Sequence, residues 1–239
     1  MSPTATTESI LITGEIEAKQ KRDIITMDIP NAFVQTAVPQ GKIDEKIIMK
    51  LRGALVDMLI DIRPGKYEEF IVYERNQKVL YVKMLKALYG MLKASILYYK
   101  KFRTDIESIG YLVNPVDACV ANTIINGKQY TLTWHVDDVK ASHVDSKVND
   151  TFHKWCDSKY GSENLGHITV VRSDKYDYLV MNLDYLDIGK LKIDMQCYID
   201  NIDEAFPYEI KPITTAPWNE KLFKVLESVE SLVFHTYVI

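Results

Sequence analysis

Trp134-His135-Val136-Asp137-Asp138 sets two carboxylates side by side at the end of a strand-like run. A third, Asp28, closes another strand-like run far upstream, in Met27-Asp28-Ile29-Pro30-Asn31-Ala32-Phe33. Carboxylates brought together repel one another, so such a cluster is costly unless cations occupy it. Hard oxygen donors suit Mg²⁺, and paired divalent ions drive phosphoryl and nucleotidyl transfer. The chemistry turns on whether Asp28, Asp137 and Asp138 meet at one sheet edge. His135 and His143 flank the pair and raise a His/Asp metal hydrolase as a competing reading. Strand alternation argues against it: His135 shares a face with Asp137, Asp138 points the other way until the turn bends, and His143 reads as a surface residue. No Walker-type phosphate loop, zincin helix or nucleophile-elbow serine pattern is present.

The elements that would position these acids can be read from turn signals and periodicity. Lys21 to Met27 reads as a strand ended by Asp28, and Pro30 fits a first helical turn, where its missing N–H is not needed. Lys46 to Leu51 reads as a short strand and Ala54 to Ile62 as a helix stopped by Pro64-Gly65. Phe70 to Glu74 and Val79 to Met84 flank a polar loop and predict a hairpin. Tyr89 to Ile109 is the most periodic helix, with Leu92, Ile96, Tyr99, Phe102, Ile106 and Ile109 at three- and four-residue steps and Gly110 closing it. Its other face carries Lys93, Lys100, Lys101 and Arg103, either a solvated face or a nucleic-acid contact. Asn126-Gly127 between Ala118–Ile125 and Gln129–Val136 is a strong hairpin signal, since both turn residues tolerate φ > 0. The second strand delivers Asp137 and Asp138 to its end, Val139 to Val144 returns as a third strand, and Ser146 caps a further helix. Tyr178 to Leu183 and Leu191 to Ile193 read as strands, Tyr198 to Phe206 as a helix, and Pro207, Pro212 and Pro217 as breaks. The order predicts an α+β domain, an antiparallel sheet backed by helices on one face.

With 239 residues, 47% of them hydrophobic and 26% charged, the chain can bury a sizeable core. The net charge of −4 argues mildly against a strong nucleic-acid binder, but the charge is segregated. Lys83 to Arg103 holds six basic residues and no acidic one, whereas Asp174 to Glu209 holds nine acidic and three basic. One basic surface on an acidic chain is therefore possible. Cys119, Cys156 and Cys197 form no pairing framework, which points to a reducing, intracellular setting. No apolar run approaches the ~18 residues of a membrane span. Residues 1–20, opening Ser2-Pro3-Thr4-Ala5-Thr6-Thr7-Glu8-Ser9, lack a secretory signal and read as a flexible leader.

Taken together, the blocks resemble the reverse transcriptases of copia-like LTR retrotransposons over roughly Arg22 to Thr215. Asp28-Ile29-Pro30-Asn31-Ala32-Phe33-Val34 resembles the family's first catalytic block. Leu88-Tyr89-Gly90-Met91-Leu92-Lys93-Ala94, continued by Tyr99-Lys100-Lys101-Phe102, is similar to its LYGLKQA…WYxKF helix. Val136-Asp137-Asp138 resembles its VDD box, and Tyr178-Leu179-Val180-Met181 its YLGM strand. The resemblance implies a polymerase palm over 21–213 that makes DNA on a nucleic-acid template-primer from dNTPs. Asp28, Asp137 and Asp138 would hold two Mg²⁺ ions. Phe33 would lie under the incoming sugar, Lys93, Lys100 and Lys101 would face nucleic acid, and the hairpin from Tyr185 to Met195 would grip the primer. The chain departs from the pattern at Thr36 and Val180, where Gly is usual, and at Lys93, Ser95 and Ile96, where Gln, Pro and Arg are usual. The fingers and thumb read as incomplete, and 214–239 as a cut-short tail ending in Phe234-His235-Thr236-Tyr237-Val238-Ile239. The expectation is a reverse-transcriptase fragment with little activity by itself, and whether a protein partner supplies the missing regions is left open by the sequence. The alternative is a catalytically silent palm remnant with at most weak nucleic-acid binding.

Overall fold

The computed structural model describes residues 2–41 and 46–206. Helix α1 (Thr7–Gln20) leads into β1 (Asp23–Asp28). β2 (Ile48–Arg52), α2 (Ala54–Ile62), a 3-10 turn at Glu68–Phe70, β3 (Val72–Glu74) and β4 (Gln77–Lys83) follow. Next come α3 (Ala94–Ser108), β5 (Leu112–Val113), β6 (Val120–Ile125), β7 (Lys128–His135), β8 (Asp138–His143) and α4 (Ser146–Tyr160). β9 (Thr169–Val171), β10 (Lys175–Tyr178), β11 (Met181–Asp184) and β12 (Lys192–Asp194) complete the first of two units, Met1–Met195. The described part of the second unit holds α5 (Gln196–Ala205). The fold is mixed α+β. The tail expected over 214–239 and the breaks at Pro207, Pro212 and Pro217 lie outside the described residues.

The main sheet has six strands in the order β5-β6-β7-β8-β1-β9, each pair antiparallel. Two smaller antiparallel sheets run β2-β4-β3 and β10-β11-β12. Asn126 and Gly127, at φ 53° and 71°, form the two-residue turn between β6 and β7. Side chains alternate across the sheet, so each strand feeds two layers. On one face Trp134 packs against Phe102 of α3, ring centroids 5.4 Å apart, and Tyr130 against Phe152 of α4 at 5.6 Å. On the other face lies α1. There Lys140, 1% exposed, donates to Glu17, 2% exposed, at 2.7 Å. Tyr185 donates to the same carboxylate at 2.8 Å. The sheet is thus covered on both faces, not backed by helices on one.

Five local expectations are corrected. Residues 7–20 are helical, not a flexible leader. Thr6 accepts from the Ser9 amide as the cap, while its own amide donates to Asp117. The buried stripe of α1 is Ile10, Thr13, Gly14, Glu17 and Ala18. That stripe is half polar, so it carries little apolar periodicity. Pro30 opens a run of turns, not a helix. Asn31 takes φ 51°, and the Gln35 side-chain amide donates to the Pro30 and Tyr160 carbonyls. Helix α3 starts at Ala94 because Gly90, at φ 86°, and a Met91–Ala94 turn precede it. Leu92, expected on the packed face, is 99% exposed, and Ile109 also lies at the surface. Phe102 and Ile106 are buried as expected, while Ile96 is half-buried. The run from Tyr178 splits into β10 and β11, turning at Leu179 and Val180 with φ 50° and 64°. His143 is fully buried beside Tyr130, its Nδ1 accepting from the Asp145 amide at 3.0 Å.

Candidate functional site

The pairing of β1 with β8 places Asp28 directly opposite Asp138. The Ile29 amide donates to the Asp137 carbonyl at 3.2 Å. That bond joins the residue after Asp28 to the residue before Asp138, which makes Asp28 and Asp138 a non-hydrogen-bonded cross-strand pair. In such pairs the Cα atoms lie about 4.5 Å apart and the side chains stand on one face. The face is the one away from α3 and α4. β7 and β8 are joined by the two-residue turn Val136-Asp137, and His135 pairs with Asp138. His135 therefore shares its face with Asp138 and Asp28, not with Asp137 as strict alternation along an unbroken strand predicts. Val136 sits at φ 59°, a costly conformation for a β-branched residue and one that clusters at functional sites.

Among the described residues, no ion pair joins Asp28, Asp137 or Asp138 to a cation. The Asp138 carboxyl is held above the ordinary carboxylate range, first by partial burial, then by the charges of Asp137 and Asp28, with His135 opposing. Asp137 is raised by burial and by Asp28, while its own backbone N–H and His135 pull the other way. Asp28 and Asp138 open into a cleft of about 200 Å³ bordered also by Thr26, Thr169, Asp177 and Leu179. No cluster of three or more His, Cys, Asp or Glu residues closed tightly enough to cage an ion is present among the described residues. The carboxylates share an edge but do not surround a point. Mg²⁺ is ordinarily held by one or two carboxylates with substrate phosphates and water completing its shell. The donor set fits an ion brought with a substrate better than a resident one.

Phe33 is half-buried, with its ring 4.6 Å from that of Tyr89 and 6.2 Å from that of Tyr98. Tyr89 is 58% exposed, and its phenol is pushed up by burial and then by the charges of Asp137 and Asp28. It thus presents an aromatic ring near the acids. Sequence reasoning missed it because it took Tyr89 as the start of a packed helix. Its place in Leu88-Tyr89-Gly90, just before a glycine of positive φ, was the available signal. The Tyr98 hydroxyl, buried beneath, has no hydrogen-bond partner among the described residues.

Of the three lysines expected on the outer face of α3, Lys93 and Lys100 are exposed. Lys101 is half-buried. Its ammonium pairs with Asp105 at 2.7 Å and lies 4.2 Å from the centre of the Tyr160 ring. Asp105 also pairs with Lys159 and accepts from the Tyr160 hydroxyl. Arg103 pairs with Glu107 at 2.9 Å. Among the described residues, these internal pairs leave Lys93 and Lys100 as the basic groups of that face with no ion pair. The hairpin expected from Tyr185 to Met195 is displaced: its first strand is β11, which ends at Asp184, and only β12 falls in that span, with Tyr185 leaving the strand to donate to Glu17. Among the described residues no helix is long and apolar enough to cross a membrane. Comparison with protein-family models, with curated proteins and with solved structures finds no match to this chain.

Proposed function

We propose that this chain is the palm of a copia-like reverse transcriptase, a nucleotidyltransferase extending a primer on a nucleic-acid template from dNTPs. The observation that carries the reading is the cross-strand pair Asp28–Asp138 with Asp137 at the adjoining hairpin tip and, among the described residues, no cation paired to any of them. Asp28, Asp137 and Asp138 would hold Mg²⁺, which when bound supplies Lewis-acid stabilisation of the triphosphate and activates the primer hydroxyl. Unneutralised, the same carboxylates repel an anionic triphosphate, so they admit it with its cation. Phe33 and Tyr89 offer a ring surface for the sugar, and a ring under it disfavours a ribose 2′-hydroxyl. Lys93 and Lys100 offer charge to backbone phosphates. A further support is Val180, which stands where the resembled pattern carries Gly. Its φ of 64° is the conformation that glycine serves.

The silent-remnant reading draws on the open arrangement of the carboxylates, which cages no ion unaided. One pair of measurements separates the two. Mn²⁺ titration followed by paramagnetic broadening should perturb residues around Asp28 and Asp138, and an Asp137→Asn, Asp138→Asn double variant should lose the effect. Primer extension with Mg²⁺ and a homopolymer template, run beside the same variant, then reads activity. Ion binding with template-dependent incorporation supports the polymerase, ion binding without incorporation the remnant. Absence of both rejects the metal site.

A further inference from the structure

Arg22 stands just before β1, at the end of that strand opposite Asp28, about 20 Å along a strand of this length. It is 7% exposed. Its Nε donates to the Gln20 side-chain oxygen at 2.9 Å, and its Nη1 donates to Thr131 Oγ1 at 2.9 Å and Ser142 Oγ at 3.3 Å. Every acceptor is neutral, and among the described residues no carboxylate lies within ion-pair distance of the guanidinium. Its Nη2 has no partner there. A buried cation without a counter-ion is costly, and burial does press its pKa below the usual arginine value, with Glu17 opposing. Glu17 is already engaged: its Oε2 takes both Lys140 and Tyr185. Glu17 is thus neutralised by Lys140, and the charge of Arg22 beside them is left uncompensated.

Arg22 borders a cleft of about 280 Å³ whose walls include Lys21, Glu17, Asp174, Tyr185 and Ile188. On the rim Asp174 opposes Lys21, so the surplus positive charge in the wall is that of Arg22. With Nε and both Nη1 hydrogens engaged, the N–H groups of Nη2 are the donors left to meet an oxyanion. We propose that this cleft is a binding site for a small oxyanion, a free phosphate or carboxylate, held by Arg22 with Lys21 at the rim. The site stands independently of the polymerase reading.

The test measures thermal unfolding of the full chain in inorganic phosphate against chloride at equal ionic strength and pH. The wild-type midpoint should rise saturably with phosphate. Arg22→Gln should abolish the rise and Arg22→Lys should weaken it. Equal rises in wild type and Arg22→Gln would mark a general salt effect and overturn the site. Should Arg22→Gln not fold, phosphorus NMR line broadening on the wild type and on Lys21→Gln replaces it. A saturable response weakened several-fold by Lys21→Gln is expected, and an unsaturable one overturns the proposal. A phosphodiester dinucleotide without terminal phosphate serves as the second arm. A response to it alone would assign the arginine to a nucleic-acid backbone and overturn the free-oxyanion site.

Discussion

Neutralising Asp138 should make the metal-free protein more stable. Asp28 and Asp138 face each other as a non-hydrogen-bonded pair. Carboxylates about 5 Å apart repel by roughly 0.8 kcal/mol at the dielectric of water and roughly 3 kcal/mol at an effective value of 20. Both residues reach solvent, so the lower end applies, with Asp137 adding to it. Asp138→Asn should therefore gain about 1 kcal/mol at neutral pH. The sign of the pH dependence follows from the raised carboxyl. A group whose folded pKa exceeds its unfolded value, about 3.9 for Asp, penalises the fold once it ionises. Wild-type stability thus carries no penalty below the unfolded pKa and loses ground as pH rises through the folded one. The advantage of Asp138→Asn should vanish in acid, shrink with added salt and, if the proposed site takes Mg²⁺, shrink again with that ion, which should stabilise the wild type more than the variant. Urea unfolding in chelator, across pH and salt, measures this. With a slope of about 2 kcal/mol per molar urea, the midpoint should move up by about 0.5 M. A variant clearly less stable than wild type, or an advantage indifferent to pH and salt, would show that these acids do not repel and that the site holds no stored charge.

Breaking the buried Lys140–Glu17 pair through Lys140→Met should cost about 3–5 kcal/mol in urea unfolding, whereas Lys140→Met with Glu17→Leu should recover part of it, Tyr185 then losing its acceptor. A loss under about 1 kcal/mol in the single variant would mean α1 is not anchored by that pair. Val180→Gly should stabilise by about 1 kcal/mol, because an exposed β-branched residue at φ 64° gives up little packing and sheds left-handed strain. Unchanged or lower stability would refute that strain. Asp137→Asn should lower the Tyr89 pKa in an ultraviolet difference titration, since the Asp137 charge helps to raise it. An unmoved titration would place Tyr89 away from the acids.

Much of what positions the site was legible from local signals. Asn126-Gly127 marked the β6–β7 turn because only a few residue types take φ > 0 cheaply. The apolar runs ending at Asp28 and His135 marked strands that deliver their acids to an edge, and α2 was bounded by the residues that start and stop it. Charge runs were legible too, but not their use. Lys101 looked free and is bound by Asp105, an acidic residue one turn along, and by the Tyr160 ring far along the chain. Three features were decided only by the fold. The buried stripe of α1 carries Thr13 and Glu17, which are tolerable inside only because Lys140 and Tyr185 arrive from distant parts of the chain to meet them. The turn at Leu179-Val180 lacks glycine and is imposed by the pairing of β10 with β11. Strand alternation predicts which side a residue faces only while the strand continues. The two-residue turn at Val136-Asp137 reset that parity and set His135, Asp138 and Asp28 on one face. Short-range preferences depend on the few bonds around each residue and can be read in order along the chain. Register, compensation of buried charge and the meeting of Asp28 with Asp138 depend on partners more than a hundred residues away, and only the assembled sheet brings those together.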